Sequence, residues 1–161
     1  MLNRKGFTLI ELLVVITIIG LLSTLAVVSL NSARAKARDA KRVYDVKQLQ
    51  TGLDLYLADG TNYPVHTGAI TLGSTSYACF DEDGFVATCD AGGNTYMGTV
   101  PRAPDVPPGD VYTYRSNAGG TSYVIAFTLE ADTGSLNTGL NCATASGLSA
   151  ATGSPAACPT P

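Results

Sequence analysis

The hydrophobic and polar positions of this chain fall into three successive patterns. From Phe7 to Leu30, apolar residues run for 24 positions with a single charge, Glu11, and no proline. At about 1.5 Å per residue such a helix crosses a hydrocarbon core of about 30 Å, so the first pattern predicts a membrane span. A cleaved secretory signal has a shorter apolar region, about 7 to 15 residues. Ala33-Arg34-Ala35 nevertheless resembles a small-x-small cleavage site, and a signal-exported or membrane-tethered extracellular binding domain is the alternative reading.

The second pattern is periodic. Ala33, Ala37, Ala40, Val43, Val46, Leu49, Leu53 and Tyr56 recur every three or four residues and line one face of a helix that needs a domain to lie on. Lys36 and Asp39, Arg42 and Asp45, and Lys41 and Asp45 stand three or four apart, on or beside the polar faces. Ala58-Asp59-Gly60, with Pro64 close behind, gives a stop. No proline occurs between Phe7 and Tyr63, which allows one continuous helix of about 50 residues, near 75 Å long, with Gly20 and Gly52 as weak points.

After Pro64 the chain breaks into short runs bounded by Gly, Pro, Asn and Asp. Strands are expected at 76–80, 85–88, 111–115 and 122–130. In the last, Tyr123, Ile125, Phe127 and Leu129 alternate with Val124, Ala126 and Thr128, so one face suits packing on a helix. Asn117 to Thr121, with Gly119-Gly120, reads as a hairpin connection, and the four prolines between 101 and 109 as an extended loop. An antiparallel sheet on the stripe from Val43 to Tyr56 follows. Residues 137–161 are mostly Ala, Ser, Thr, Gly and Pro, too poor in large apolar groups for a core. They are expected to form a loop or low-complexity tail tied by Cys142 and Cys158.

The expected fold class is therefore α+β: a long N-terminal helix, membrane-spanning in its first half (7–30) and amphipathic in its second (31–59), an antiparallel β domain over 60–136, and the tail.

Charge divides the chain. Residues 1–47 carry eight Lys/Arg against three acids, whereas residues 48–161 carry two against ten. An acidic distal half lacks the clustered cations that nucleic acid requires, and the basic segment beside the apolar run suits lipid headgroups. Cys79, Cys89, Cys142 and Cys158 form an even set without a C-x-x-C. Metal-ligand spacing is absent, and in an exported domain these residues suit disulfides. Three pairings are open, and short loops favour 79 with 89 and 142 with 158.

Catalytic and cofactor signatures are missing: no G-x-S-x-G, no H-E-x-x-H, no phosphate loop, and one histidine, His66, read as exposed. The residue inventory supplies neither an enzyme site nor a cofactor site. Asp81-Glu82-Asp83-Gly84 looks like the start of a calcium loop, which makes Asp81 and Asp83 weak candidates. Gly92 stands where an EF-hand places its bidentate glutamate, so a solvated acidic turn is the better reading.

Orientation is contested by the residues themselves. Arg4 and Lys5 precede the span, while Arg34, Lys36, Arg38, Lys41 and Arg42 follow it, so counting charges puts the distal half in the cytoplasm. The cysteines argue for export.

One combination bears on this conflict. Arg4-Lys5-Gly6, then Phe7-Thr8-Leu9-Ile10-Glu11, then about twenty apolar residues, resembles the N-terminal signal of type IV pilins and type II secretion pseudopilins. The likeness extends loosely to Tyr63-Pro64. It implies a leader of residues 1–6 with basic Arg4 and Lys5, cleavage after Gly6 on the cytoplasmic side by a prepilin peptidase, and methylation of the new N-terminal Phe7. It also implies a long helix fused to a four-stranded antiparallel sheet, and a subunit held in a bacterial inner membrane, N-terminus inside. The implied partners are an inner-membrane assembly platform and identical or related subunits, joined into an extracellular or periplasmic filament. Many relatives have a proline near the end of the span, where this chain has Val28; the C-terminal calcium loop of major pseudopilins is not evident. The likeness leaves open which of the two machines is served.

That reading gives Glu11 a purpose. An ionised glutamate within a lone span costs about 2.5 to 3.5 kcal/mol or more. After cleavage its partner can be another subunit's Phe7 amine, and an unpaired buried charge would penalise every wrong axial register.

Overall fold

The computed structural model describes residues 6–106, 109–152 and 157–161. Two compact units are present, Met1–Lys36 and Ala37–Pro161. One helix, α1 (Leu9–Asp59), contributes to both. From Leu9 to Leu30 it carries apolar side chains on all sides, with Glu11 the one charge, and these are exposed, from Leu9 at 83% to Val28 at 71% and Leu30 at 51%.

In the second unit the helix lies on β structure. Eight strands occur among the described residues: β1 (Ile70–Thr71), β2 (Cys79–Asp81), β3 (Gly84–Val86), β4 (Thr95–Met97), β5 (Thr113–Ser116), β6 (Tyr123–Leu129), β7 (Gly139–Thr144) and β8 (Gly147–Ala150). They form a five-stranded sheet, β1-β5-β6-β7-β8, and a three-stranded one, β3-β2-β4, with antiparallel pairing throughout. The larger sheet thus has one strand more than the four expected.

The alternation of β6 decides the packing. Tyr123, Ile125, Phe127 and Leu129 are all buried and share one core with Val46, Leu49 and Leu53 of the helix. Tyr56 stacks on Phe80 of the smaller sheet, ring centroids 5.3 Å apart, so the C-terminal turns of α1 touch both sheets. At Gly52 an added Cβ would lie 3.4 Å from the Phe80 ring, which lets the small sheet approach closely.

The hairpin between β5 and β6 depends on side-chain and glycine chemistry. Asn117 Oδ1 accepts the Thr121 and Ser122 N–H groups at 2.8 and 3.3 Å. Gly120 has φ +63°, and a Cβ there would fall 2.6 Å from the Tyr63 carbonyl oxygen. The Tyr63 N–H donates to the Gly120 carbonyl at 2.7 Å, joining the post-helix loop to this turn.

Two expectations need correction. Residues 139–150 are the strands β7 and β8, not a loop or tail: β7 pairs with β6 over five residues, and Cys142 and Ala143 are fully buried. A strand docking onto an existing edge gains ladder hydrogen bonds and needs few large side chains of its own. The periodic stripe also fails at its start. Ala33, Ala37 and Ala40 are exposed, while Asp39, Arg42 and Asp45, expected on or beside polar faces, are buried.

Candidate functional site

Three groups of residues carry chemistry: the head of α1, a buried ionic cluster, and the acidic turn between β2 and β3.

At the head of α1, Thr8 stands just before the first helical residue, Leu9. The Thr8 N–H and hydroxyl both donate to Glu11 Oε2, at 2.9 and 2.7 Å, and the Glu11 N–H reaches back to Thr8 Oγ1 at 3.3 Å. This is a reciprocal capping box, in which Thr at the N-cap and Glu at the third helical position satisfy two otherwise orphaned N–H groups. The negative charge also meets the positive end of the helix dipole. The four letters Thr8-Leu9-Ile10-Glu11 encode the box, a Thr-x-x-Glu signal at the head of an apolar run.

Among the described residues, both hydrogen bonds to the Glu11 carboxylate fall on Oε2. A Cβ at Gly6 or Gly20 would meet nothing within 4 Å. Arg4 and Lys5 lie outside the described residues.

The ionic cluster joins α1 to the end of β6 and to the loop before β5. Arg42, 0% exposed, donates through Nη1 to Asp39 Oδ1 (2.8 Å) and Glu130 Oε1 (2.7 Å). Through Nη2 it donates to Asp110 Oδ2 (2.8 Å) and to the Val106 carbonyl. Asp39, equally buried, accepts the backbone N–H groups of Glu130 and Ala131 at 2.9 to 3.1 Å. Arg38 completes the group with a bidentate pair to Glu130, at 2.6 and 2.5 Å. Its guanidinium, and behind it that of Arg42, hold the Glu130 carboxyl down to about 2 against the opposing effect of burial.

Asp45, read as a partner of Arg42 or Lys41, instead accepts the buried Tyr112 hydroxyl at 3.0 Å. Burial pushes the Asp45 carboxyl above the usual carboxylate range, with that hydrogen bond working the other way. Sequence spacing could not show these partners, because Glu130 and Asp110 lie 88 and 68 residues beyond Arg42.

Asp81 is buried, and its carboxylate accepts the N–H groups of Asp83 and Asp90 at 3.1 Å each. Glu82 accepts the Asn94 N–H at 3.4 Å. The acidic letters thus hold the β2–β3 turn and the loop after it. Cys79, Asp81 and Cys89 offer atoms within 4.8 Å of one another, but Cys79 and Cys89 are joined as a disulfide, as are Cys142 and Cys158. A disulfide sulfur is not a thiolate ligand, so this trio does not fit a metal.

His66 is half-buried rather than exposed, edge-on to Tyr77 and Tyr114, and burial lowers its pKa. Its backbone, not its ring, is tied to Ser116.

Chemically, then, the second unit holds structural ionic and aromatic groups. The first unit offers a naked apolar surface with one carboxylate at its head.

Residues 1–27 match the family model described as the prokaryotic N-terminal methylation motif. The chain is 44% identical over 62 residues to the type II secretion system core protein G of Escherichia coli (strain K12), covering 38% of this chain and 43% of that protein. It is 43% identical over 62 residues to the protein of the same name from Pectobacterium carotovorum subsp. carotovorum, covering 38% and 40%. With those two relatives the match thus spans less than half of their length. The core protein G of Vibrio cholerae serotype O1 is 30% identical over 130 residues, covering 81% of this chain and 82% of that protein. No solved structure matches the chain.

Proposed function

The chain belongs to the type II secretion system core protein G family, and from that premise we propose that it is a structural filament subunit, a pseudopilin that polymerises through its apolar N-terminal helix. The observation that carries this reading is the exposure of every large apolar side chain from Phe7 to Leu30, a stretch in which α1 is long and apolar enough to cross a membrane, with an 18-residue window of mean hydropathy 2.7. Such a surface needs lipid before assembly and neighbouring helices after it.

The leader of residues 1–6, with Arg4 and Lys5, is removed after Gly6 by a prepilin peptidase, and Phe7 becomes a methylated N-terminus. The open space around Gly6 supports a role in recognition, since contacts of the fold ask for no glycine there. The precursor sits in the inner membrane with its second unit outside, where the two disulfides are stable, and passes to an assembly platform. Copies then join by a repeating heterologous contact, which generates an open helical filament.

In that filament Glu11 pairs with a neighbour's Phe7 amine. Its capping box supports this role: Thr8 holds the carboxylate at the head of the helix while still in the monomer. The chain carries no catalytic role in this reading.

Two measurements test it. Glu11→Val inserts in the membrane but does not enter filaments; a wild-type filament yield from that variant contradicts the pairing. Gly6 replaced by a bulky residue leaves an uncleaved precursor, and mass spectrometry finding Phe7 at its N-terminus overturns the assignment of Gly6.

A further inference from the structure

Where α1 ends and the following loop begins, the second unit has an open cavity of about 450 Å³ that none of the preceding roles uses. Its walls include Tyr56, Asp59, Val65, Glu82, Asn94 and Tyr96. The Tyr56 and Tyr96 rings meet edge to face, centroids 5.4 Å apart. The Tyr96 hydroxyl donates to Asp59 Oδ2 at 2.9 Å, which turns both groups into one wall. Glu82 is held by the Asn94 N–H. Val65, 52% exposed, adds an apolar lip.

Aromatic faces, an aliphatic lip and two exposed carboxylates together fit a side chain that has a hydrocarbon stem and a cationic tip. We infer that this cavity receives a lysine from the helix of a second copy of the chain, and so sets the axial stagger between neighbouring subunits.

The occupant follows from the charges of the same helix. Its solvent-facing side carries Lys41, the 61%-exposed Tyr44 and Lys47 at one end, and Asp54 and Asp59 at the other. Two parallel copies in register place like charges opposite one another, which is repulsive. Sliding one copy along the axis brings cations level with acids instead. Lys47 lies 12 residues before Asp59, and Lys41 lies 18 before it, so displacements of about 18 Å or about 27 Å bring one or the other to the cavity. Complementary charges of this kind fix register and reject wrong partners more than they add raw affinity. The surplus of acids beyond residue 48 and of bases before it is then a stagger device, written into one chain.

This inference rests on the filament reading, and its test separates the two. The full-length variant Asp59→Lys with Glu82→Lys is expected to lower sheared filament at least about tenfold, as a lost charge pair made repulsive implies. Adding Lys41→Glu and Lys47→Glu to the same chain restores the yield. A benzophenone amino acid placed at Tyr96 in the otherwise wild-type chain joins filament subunits as dimers, with the adduct mapping to residues 41–47. Filaments at wild-type yield from Asp59→Lys with Glu82→Lys alone, or an adduct on lipid or on another region of the chain, overturn the cavity's role and leave the filament reading standing. A wild-type chain that forms no polymer overturns both.

Discussion

A carboxylate in an apolar run can serve its own helix or a neighbour, and Glu11 is placed to serve both in turn. Within one chain it closes the capping box with Thr8, and in the proposed filament it is available to the amine that cleavage before Phe7 would create. The two roles separate by mutation. Thr8→Val removes the hydroxyl that holds the carboxylate and costs the helix about 1 kcal/mol, yet keeps the charge. It is expected to fray the first turn, seen as faster amide exchange at Ile10 and Glu11, while filaments still form, unlike Glu11→Val. Within the second unit Gly120 is fixed by backbone conformation as well as by space. Gly120→Ala meets both the positive φ and the Tyr63 carbonyl, and should destabilise by at least about 1 kcal/mol; denaturant unfolding of the full chain in detergent measures it.

At the scale of elements, the apolar face of β6 and the stripe from Val46 to Leu53 were legible, because alternation and helical period are local signals. The strands β7 and β8 were not. Their residues are small, and they become strands because β6 offers an edge, which no local pattern announces. Asp39, Arg42 and Asp45 failed for a related reason: three charges three apart on a helix look like a solvated face until distant acceptors close over Arg42 and distant donors over the two carboxylates. The cluster predicts a large mutational effect. Arg42→Met leaves the buried Asp39 without its cation and Asp110 without its ion pair, while Glu130 keeps Arg38, and should cost about 3 to 5 kcal/mol, read as a lowered urea midpoint without a change in slope. The proposed assembly roles of Gly6, Phe7 and Glu11 rest on the sequence resemblance. The cap geometry was present in the four letters Thr8-Leu9-Ile10-Glu11, a Thr-x-x-Glu spacing that is local to the helix start.

For the whole molecule, the charge split and the acid-dependent cluster set how the second unit responds to its surroundings. Glu130 binds its proton less readily when folded than when unfolded, since its carboxyl is held down to about 2 from an ordinary 4.5. The unfolded chain therefore takes up that proton first as pH falls. The stability that Glu130 contributes is complete above about 4.5 and is lost as pH falls through about 2. Thermal unfolding followed across this window should show the loss, and Glu130→Gln should flatten it.

The apolar helix, by contrast, has no pH at which it is content in water, so assembly is governed by lipid and by neighbouring copies. The measurement that addresses this most directly is a density map of the assembled filament at side-chain resolution. The account predicts chains that begin at Phe7, apolar helices bundled at the centre, and Glu11 within hydrogen-bond reach of the Phe7 amine of a neighbouring subunit. Density showing Glu11 turned to solvent, or residues before Phe7 still attached within the fibre, would contradict it.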